Sequence, residues 1–282
     1  MKILIFGKGY MGARCASAWG EDTVLSDVFV NSVEDVLKEI ERVRPDAVLN
    51  AAGVRGKPNV DWCEDHARET IRGNTLLPIL IAEACQEAGT YLLHMGSGCI
   101  FYGDSPHDDR AWREDDHGNP VPVYSRSKWA ADLVLSTLPH VGIARIRMPI
   151  DWTPSPDNLI DKLARFPKVI DVENSVTIVD DMVSVFHALM DQRAAGVFHV
   201  TNPGTVKHRE ILELYRELVD PAHACEWIGN DDLVAQGFAT KGRSNNFLSS
   251  ARLGEHGIAM RPVRDALRDT MMKYAHAKKS NL

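Results

Sequence analysis

The chain lacks the features that mark several classes of protein. Its 282 residues carry a net charge of −7, so it has none of the basic excess typical of nucleic-acid-binding proteins. No apolar run approaches the ~20 residues of a membrane span, and the first run is too short for a secretory signal. We therefore expect neither nucleic acid nor a membrane as a partner.

Cysteine is scarce, and its spacing is uninformative. The five cysteines form no C-x-x-C pair and are odd in number, which favours a reducing, cytoplasmic setting. The 11 histidines show no H-E-x-x-H or other ligand spacing. We expect no catalytic metal.

What the chain does contain is an alternation of short apolar runs with helical patterns, typical of βαβ units around a parallel sheet. We predict an α/β fold, with a Rossmann-type doubly wound parallel sheet over residues 1–150. A later strand near 176–201 would return to that sheet, and residues 151–282 would form a smaller mixed substrate-binding lobe. The predicted strands are Lys2–Phe6, Val24–Ser26, Ala47–Asn50, Tyr91–Met95, Ile143–Arg147 and Val197–Thr201. The predicted helices are Tyr10–Trp19, Val33–Val43, about Trp62 to Glu87 with an interruption near Gly73, Tyr124–Leu138 and His208–Val219.

A G-x-G-x-x-G pattern follows the first predicted strand and opens a helix. Its residues are Gly7, Lys8, Gly9, Tyr10, Met11 and Gly12. Backbone N–H groups at such a helix start bind a pyrophosphate, so the pattern predicts NADPH or NADH as cofactor. The alternative is a plain tight turn.

Two residues indicate opposite cofactor preferences. Asp27 lies 20 residues after Gly7, where an acid can bond the ribose 2′-OH of NAD. Lys8 could instead meet the 2′-phosphate of NADP, and Asp27 could equally be a solvated loop residue, so the preference stays open. The segment expected to pass beneath the cofactor, where small side chains permit close approach, is Asn50, Ala51, Ala52 and Gly53.

Ser97, Tyr124 and Lys128 have the pattern of a carbonyl-reduction site. Tyr124 and Lys128 are four apart on a predicted helix, which puts them on one face. A nearby ammonium favours the phenolate, so the tyrosine could pass a proton near neutral pH. Ser97, at the end of a predicted strand, would hold the same carbonyl oxygen. The three residues predict hydride transfer to or from a carbonyl.

Together with further segments, these motifs resemble the extended short-chain dehydrogenase/reductase family, and most of all its nucleotide-sugar branch that makes activated L-rhamnose. The segments that carry the resemblance are Gly56–Glu64, Gly98–Phe101, Arg145–Ile150, Thr201–Gly204 and Arg243–Asn246. The resemblance implies an NAD(P)H-dependent 3,5-epimerase/4-reductase acting on a nucleotide-4-keto-6-deoxyglucose, with UDP as the expected nucleotide. It also implies a homodimer.

The resemblance assigns a second acid–base pair to Cys99 and Lys162. A 4-keto group acidifies the protons on C3 and C5, so a base on one face and an acid on the other could invert both carbons. Cys99 would be the base and Lys162 the acid. The alternatives are a small buried hydrophobe for Cys99 and a solvated helix lysine for Lys162.

The resemblance further places Met148 at the cofactor. Its substrate-binding residues would be Val54, Gly56, Asn59, Ser97, Asn202, Arg243 and Asn245. Asn59 could instead start a helix, Asn202 could be a turn residue, and the Arg243–Asn245 segment could be a polar loop. Residues Tyr102–Pro122 are expected to form a mobile, solvated loop.

Two rival functions remain on the same fold. One is a 4-reductase alone, acting on dTDP-4-dehydrorhamnose. The other is a cofactor-sensing protein that does no chemistry, although such a sensor would have no need of Ser97, Tyr124 and Lys128.

Overall fold

A computed structural model describes residues 1–57 and 59–280. Pro58, within the Gly56–Glu64 segment, and the last two residues lie outside the described residues. The chain forms two compact units. Unit 1 comprises Met1–Ile100, His117–Arg145 and Val183–Phe198; unit 2 comprises Phe101–Asp116, Ile146–Met182 and His199 to the end of the described chain.

Strands and helices alternate through the first 150 residues. The strands are β1 (Ile3–Phe6), β2 (Thr23–Leu25), β3 (Ala47–Asn50), β4 (Tyr91–Ser97), β5 (Ala111–Trp112), β6 (Val141–Ile146), β7 (Lys168–Ile170), β8 (Glu173–Asn174), β9 (Gly196–Val200), β10 (Val206–Lys207), β11 (Glu226–Ile228) and β12 (Phe247–Leu248). The α-helices are α1 (Tyr10–Trp19), α2 (Val33–Val43), α3 (Trp62–Asp65), α4 (Ala67–Ile71), α5 (Leu77–Glu87), α6 (Val123–Leu135), α7 (Leu159–Arg165), α8 (Val179–Asp191), α9 (His208–Leu218), α10 (Asn230–Ala235), α11 (Ala251–Glu255) and α12 (Val263–Ser280). Within residues 1–57 and 59–280, no helix has the length and apolar character needed to cross a membrane.

A six-stranded parallel sheet forms the centre of unit 1, in the order β2-β1-β3-β4-β6-β9. The order reverses at β1, since β2 lies on one side of it and β3 on the other. Ligands of open parallel sheets bind at the carboxyl ends of the strands next to such a reversal. Phe6 and Asn50, the last residues of β1 and β3, are paired in register, so the segments that follow them start side by side.

Local sequence explains these elements. All four residues of β1 are buried, as expected for a strand covered on both faces. Helix α2 begins at a capping box in which Ser32 accepts the Asp35 N–H and Asp35 accepts the Ser32 N–H. Its apolar residues Val36, Ile40 and Val43 recur at helical spacing and enter the core of unit 1.

Unit 2 has a core of its own. Helices α7, α9 and α12 each contribute buried apolar side chains to it, among them Leu163, Ile211 and Leu267. The unit also contains the short two-stranded pairings of β7 with β11, β8 with β10 and β5 with β12. This mixed arrangement lacks the βαβ regularity of unit 1.

The structure confirms the predicted α/β class and its parallel sheet, with element ends shifted by a few residues. The predicted interruption near Gly73 is also confirmed. It is a π-helical stretch, Arg72–Leu76, between α4 and α5. Such stretches insert an extra residue into a helix and occur often at functional sites.

The expectation of a solvated loop over Tyr102–Pro122 holds for most of the segment, which is irregular and exposed or half-buried, but it is wrong for the centre of the segment. Ala111–Trp112 is a strand that pairs with Phe247–Leu248, and both Trp112 and Glu114 are buried. Trp112 stacks on Phe101, with ring centroids 4.6 Å apart. Partners far away in sequence order this segment, so its many acidic residues were a misleading signal.

Candidate active site

The glycine turn after β1 packs tightly against the segment after β3. Gly7 has a φ of +107°, and a Cβ there would lie 2.4 Å from the backbone nitrogen of Ala52. A Cβ on Gly12 would lie 2.0 Å from the carbonyl oxygen of Gly7. Both positions therefore require glycine, and Ala51 and Ala52 lie directly against the turn.

The start of α1 fits an anionic group. The helix begins at Tyr10 with Gly9 as N-cap, without a side-chain cap and without an acidic residue in its first turn. A Cβ on Gly9 would meet nothing within 4 Å, so the space in front of these N–H groups is open. Exposed N–H groups and the helix dipole favour a pyrophosphate here. The residues thus fit a dinucleotide.

Lys8 and Asp27, which indicated opposite cofactor preferences, form an ion pair with each other. Both side chains are largely exposed, at the ends of the glycine turn and of β2. Asp27 is therefore not an isolated loop residue.

The Asn50 side chain stabilises the segment that follows β3. Its side-chain oxygen accepts the Ala52 N–H at 3.0 Å, and its amide nitrogen lies 3.1 Å from Nδ1 of His94. Asn50 is fully buried. Its side chain shapes the segment beneath the predicted cofactor.

Asn74, a residue that sequence reasoning missed, ties three parts of the site together. Its side chain accepts the Val54 N–H and donates to the Val54 carbonyl, both at 2.7 Å. It also donates to the Ser127 hydroxyl, which in turn donates to the carbonyl of Tyr124. Asn74 lies in the π-helical stretch and is fully buried. The sequence signal that could have identified Asn74 is its position, as a polar residue, beside the predicted helix interruption near Gly73.

Ser97, Tyr124 and Lys128 come together where β4 meets α6. Ser97 is the last residue of β4, is buried, and is hydrogen-bonded to the Tyr124 side chain. Lys128 is 6% exposed and donates to the Met95 carbonyl at 3.2 Å. A Cβ on Gly53 would lie 3.4 Å from the Lys128 amine, so the segment after β3 meets the same place.

The electrostatics of this trio differ from the sequence-based expectation. Burial raises the pKa of Tyr124 above its usual value, and Cys99 raises it further. The Ser97 hydrogen bond and the charge of Arg55 act in the opposite direction, whereas Lys128 is not among the causes. Burial also lowers the pKa of Lys128 to about 8. In the protein alone, then, the expected lowering of the tyrosine pKa by Lys128 does not occur, because desolvation dominates.

Cys99 lies beside the phenol. It sits in the single turn Gly98–Ile100 directly after β4, partly exposed, and its N–H donates to the Ser97 hydroxyl at 3.2 Å. Its charge interaction with Tyr124 indicates that the thiol lies near the Tyr124 hydroxyl. Arg55, which the sequence did not single out, interacts with the same phenol.

The segment after β3 leads to a residue, Glu64, that contacts the start of α6. Gly56 has a φ of +69° and packs against Trp62. Asn59 is exposed and its side chain accepts the Asp61 N–H at 2.8 Å, as expected of a residue that starts a helix. Glu64 accepts the N–H of Val123 at 2.8 Å, so it caps α6 one residue before Tyr124 rather than its own helix.

The predicted substrate-binding residues Arg243 and Asn245 lie in unit 2, in a loop that contacts a buried polar network. Arg147, 1% exposed, donates to the side chain of Asn174 and to the backbone carbonyl of Ser244. Asn174 also donates to Asn245. These contacts anchor the Arg243–Asn246 loop from below. Met148, next to Arg147, has a φ of +43°, a strained conformation for a residue with a side chain.

Asn202 and Lys162 also lie in unit 2. Asn202 is 1% exposed, and its amide accepts the Ile178 N–H and donates to Asp181 and to the Arg261 carbonyl. These contacts join Asn202 to α8 and to the segment before α12. Lys162 lies on α7, which begins at the side-chain cap of Asn158.

The residues predicted for the site belong to both units. Met148, Lys162, Asn202, Arg243 and Asn245 belong to unit 2. Unit 1 holds Gly7, Lys8, Gly9, Tyr10, Met11, Gly12, Asp27, Asn50, Ala51, Ala52, Gly53, Val54, Gly56, Asn59, Ser97, Cys99, Tyr124 and Lys128.

Comparison with protein families places this geometry in context. Residues 1–269 match the family model described as RmlD substrate binding domain. A bifunctional dTDP-4-dehydrorhamnose 3,5-epimerase/dTDP-4-dehydrorhamnose reductase of Arabidopsis thaliana is 36% identical over 277 residues, covering 94% of this chain and 90% of that protein.

A second Arabidopsis thaliana relative is a trifunctional UDP-glucose 4,6-dehydratase/UDP-4-keto-6-deoxy-D-glucose 3,5-epimerase/UDP-4-keto-L-rhamnose-reductase. It is 32% identical over 286 residues, which are 98% of this chain and 42% of the relative. The chain thus spans less than half the length of that relative.

Solved structures have the same fold. The L780 UDP-rhamnose synthase of Acanthamoeba polyphaga mimivirus superposes with a TM-score of 0.90 and 29% identity, over 97% of this chain and 99% of that one. A dTDP-4-dehydrorhamnose reductase of Bacillus anthracis in complex with NADP has a TM-score of 0.81 and 18% identity, over the same shares.

Proposed function

The chain belongs to the RmlD substrate-binding-domain family, and from that premise we propose that it is an NAD(P)H-dependent 3,5-epimerase/4-reductase of a nucleotide sugar. Its substrate would be UDP-4-keto-6-deoxyglucose and its product UDP-L-rhamnose. The single observation that carries the proposal is the meeting of Ser97, Tyr124 and Lys128 at the end of β4, with Cys99 beside them.

Unit 1 would hold the cofactor. The open N-terminus of α1 suits the pyrophosphate, and Gly53 and Lys128 lie where the segment after β3 meets the catalytic helix. When bound, the nicotinamide supplies the hydride for C4 of the sugar. The Lys8–Asp27 pair leaves both the 2′-hydroxyl and the 2′-phosphate forms as candidates.

Tyr124 would donate the proton that completes the alcohol at C4. The raised pKa of Tyr124 keeps the phenol protonated, as a proton donor must be before the reaction. Ser97 would hold the carbonyl oxygen through its hydroxyl. Lys128 would supply positive charge as the phenol loses its proton.

Cys99 and Lys162 would perform the two inversions. The Cys99 thiolate takes the proton from C5 or C3, and the electrons of that C–H bond move to the C4 oxygen as an enolate. The Lys162 ammonium then returns a proton to the opposite face, and the carbonyl reforms. Exchange with water afterwards restores the thiolate and the ammonium. The position of Cys99 beside Tyr124 supports this step, since one phenol can stabilise both the enolate and the alkoxide.

Order follows from the chemistry. Reduction removes the ketone that makes the C3 and C5 protons acidic, so both inversions must come first. The choice of UDP is supported by the similarity to a UDP-rhamnose synthase and to the UDP-sugar part of a trifunctional relative.

The deciding experiment incubates the chain with UDP-, dTDP- and GDP-4-keto-6-deoxyglucose in deuterated water, each with NADPH or NADH. Deuterium at C3 and C5 of a rhamnose product would support both activities. Cys99→Ser should abolish exchange at both carbons, because a serine hydroxyl is too weak a base. Cys225→Ser, at another partly exposed cysteine, is the matched control and should leave exchange unchanged.

Three results would redirect the proposal. Reduction of separately added nucleotide-4-keto-L-rhamnose, without exchange in the 4-keto-6-deoxyglucose incubations, would indicate a 4-reductase alone. Cofactor binding without any turnover would indicate a sensor. Unchanged exchange in Cys99→Ser would remove that residue from the mechanism.

A further inference from the structure

A buried carboxylate lies behind the catalytic lysine. Asp132 follows Lys128 by four residues on α6, so both side chains lie on the same helix face. Both are buried, with Lys128 6% and Asp132 1% exposed. Burial raises the pKa of Asp132, and the charge and hydrogen bond of Arg145 and the charge of Lys128 act against that rise. Burial lowers the pKa of Lys128, and the charge of Asp132 acts against that fall.

Arg145 completes the cluster from the neighbouring strand. Its Nε donates to Oδ2 of Asp132 at 2.7 Å, and its guanidinium lies 5.4 Å from the ring centroid of Trp129. Arg145 is 1% exposed. A Cβ on Gly96 would lie 3.1 Å from the Arg145 side chain and 3.5 Å from Oδ1 of Asp132, so the pair lies against the strand that ends in Ser97.

The second carboxylate oxygen of Asp132, Oδ1, accepts no hydrogen bond from the residues that the structure describes. It is also buried. A buried carboxylate oxygen without a donor is costly, so its retention calls for a reason other than stability. Its charge interaction with Lys128 is such a reason.

Among residues 1–57 and 59–280, the other titratable groups next to Lys128 carry no charge that could replace that of Asp132. His94, on β4, is fully buried, and burial together with Lys128 lowers its pKa well below the usual value, so the imidazole is neutral. Tyr124, on α6, is a neutral phenol. The charged neighbours on the elements packed here are thus Asp132 and, through it, Arg145.

We propose that Asp132 is a positioning residue that keeps the Lys128 ammonium charged inside the protein, with Arg145 keeping Asp132 ionised. This inference rests on the proposed function, in which Lys128 acts as a cation beside Tyr124. A carboxylate alone would largely cancel the lysine charge. Because Asp132 is shared with Arg145, the cluster retains a net positive charge that can act on the reacting oxygen.

The test measures the lysine directly. In protein labelled with ¹³C at lysine Cε, the Lys128 signal is assigned by its loss in Lys128→Met and followed against pH. Asp132→Asn should lower the Lys128 pKa from about 8 by roughly one unit or more, because the counter-charge is lost. The double variant Asp132→Asn/Arg145→Gln, which leaves no buried guanidinium without its carboxylate, should lower it by less.

Activity supplies the second readout. The alkaline fall of kcat should move to lower pH in Asp132→Asn by the same amount, and Asp132→Glu should restore much of the original profile. Glu39→Gln is the matched control, since Glu39 is also a buried acid paired with an arginine, but on α2. It should leave the Lys128 titration unchanged.

Two results would overturn the inference. One is a Lys128 pKa that does not move in Asp132→Asn, and the other is an equal fall in the single and double variants. The titration needs no turnover, so it stays informative even if no nucleotide sugar is reduced, an outcome that would count against the proposed function alone.

Discussion

At the scale of single residues, the site combines groups whose protonation is set by burial. Tyr124 is held as a neutral phenol and Lys128 as an ammonium with a pKa of about 8. Neither protonation state follows from the spacing of Tyr124 and Lys128 alone. The spacing puts the two on one helix face, but desolvation decides their charge.

Tyr124→Phe tests the proton donor. The substitution removes one hydroxyl, and loss of a positioned proton donor lowers kcat by roughly 100- to 10,000-fold. The measurement is cofactor oxidation with a nucleotide-4-keto sugar. Tyr91→Phe is the matched control, because the buried Tyr91 hydroxyl donates to the Ala194 carbonyl, away from the trio, and its loss should reduce stability alone. Equal activity in the two variants would contradict the assignment.

Asn74→Ala should weaken both stability and turnover. It leaves the Val54 N–H and carbonyl without their side-chain partner, at a cost of about 1–3 kcal/mol in the free energy of unfolding. Without the Asn74 hydrogen bonds, Val54 and the neighbouring Arg55 would also be less well positioned. Urea denaturation and kcat measure the two effects. Asn31→Ala, at an exposed asparagine, should change the unfolding free energy by less than about 0.5 kcal/mol.

At the scale of elements, the turn between β1 and α1 separates two roles of glycine. Gly12 is required by the fold, because the Gly7 carbonyl occupies the place of a Cβ. Gly9 has an ordinary backbone conformation, with φ −67° and ψ 177°, and open space in front of it. The fold itself therefore does not require glycine at position 9.

Gly12→Ala and Gly9→Ala should fail in different ways. Gly12→Ala should lower the free energy of unfolding by more than about 2 kcal/mol, since the backbone must move. Gly9→Ala should keep its stability but bind cofactor about tenfold more weakly or worse, as its methyl group meets the pyrophosphate. Thermal unfolding and fluorescence titration with NADPH distinguish them. Gly254→Ala, also with open space, should change neither.

Helix α2 ends in the C-cap Arg44, a position whose backbone conformation glycine would adopt more easily. Arg44 is exposed and left-handed, with φ 52° and ψ 61°. Arg44→Gly should raise the free energy of unfolding by about 0.5–1 kcal/mol, because glycine adopts this conformation without steric cost. Lys38→Gly, in the middle of the same helix, should lower it by about 1 kcal/mol. A destabilised Arg44→Gly variant would show that the arginine side chain makes contacts that matter.

At the scale of the whole molecule, stability and function oppose each other at Lys128. The folded protein holds this lysine at a pKa of about 8, below the usual 10.5, so the unfolded chain binds the proton more tightly. The group therefore costs stability below pH 8, and the cost fades as pH rises toward 10.5.

Lys128→Met should accordingly be more stable than the wild-type chain at pH 7, by up to about 3 kcal/mol, while losing activity. The gain should shrink between pH 8 and 10. Urea denaturation at several pH values measures it. Lys38→Met, at an exposed lysine, should give no such pH-dependent difference. Equal stability of Lys128→Met and wild type at pH 7 would mean that the lysine contacts compensate its burial.

Much of unit 1 was predictable because its signals are local. The apolar run of β1, the glycine turn and the amphipathic α2 each occupy fewer than about a dozen neighbouring residues, and the structure confirms all three. The centre of the segment Tyr102–Pro122 was mispredicted for the opposite reason. Its strand exists only because Phe247–Leu248 lies beside it.

The sequence by itself determined the parallel α/β architecture, the glycine turn and the chemical identity of Ser97, Tyr124 and Lys128, since backbone demands and residue spacing act over a few residues. Only the tertiary structure decided which groups support that chemistry. Asn74 meets Val54 and Ser127, Glu64 caps the helix of Tyr124, and Arg145 shares Asp132 with Lys128. These partners lie far apart in the chain. A side chain has no partner until folding brings the partner to it, and a buried group has no defined charge until then.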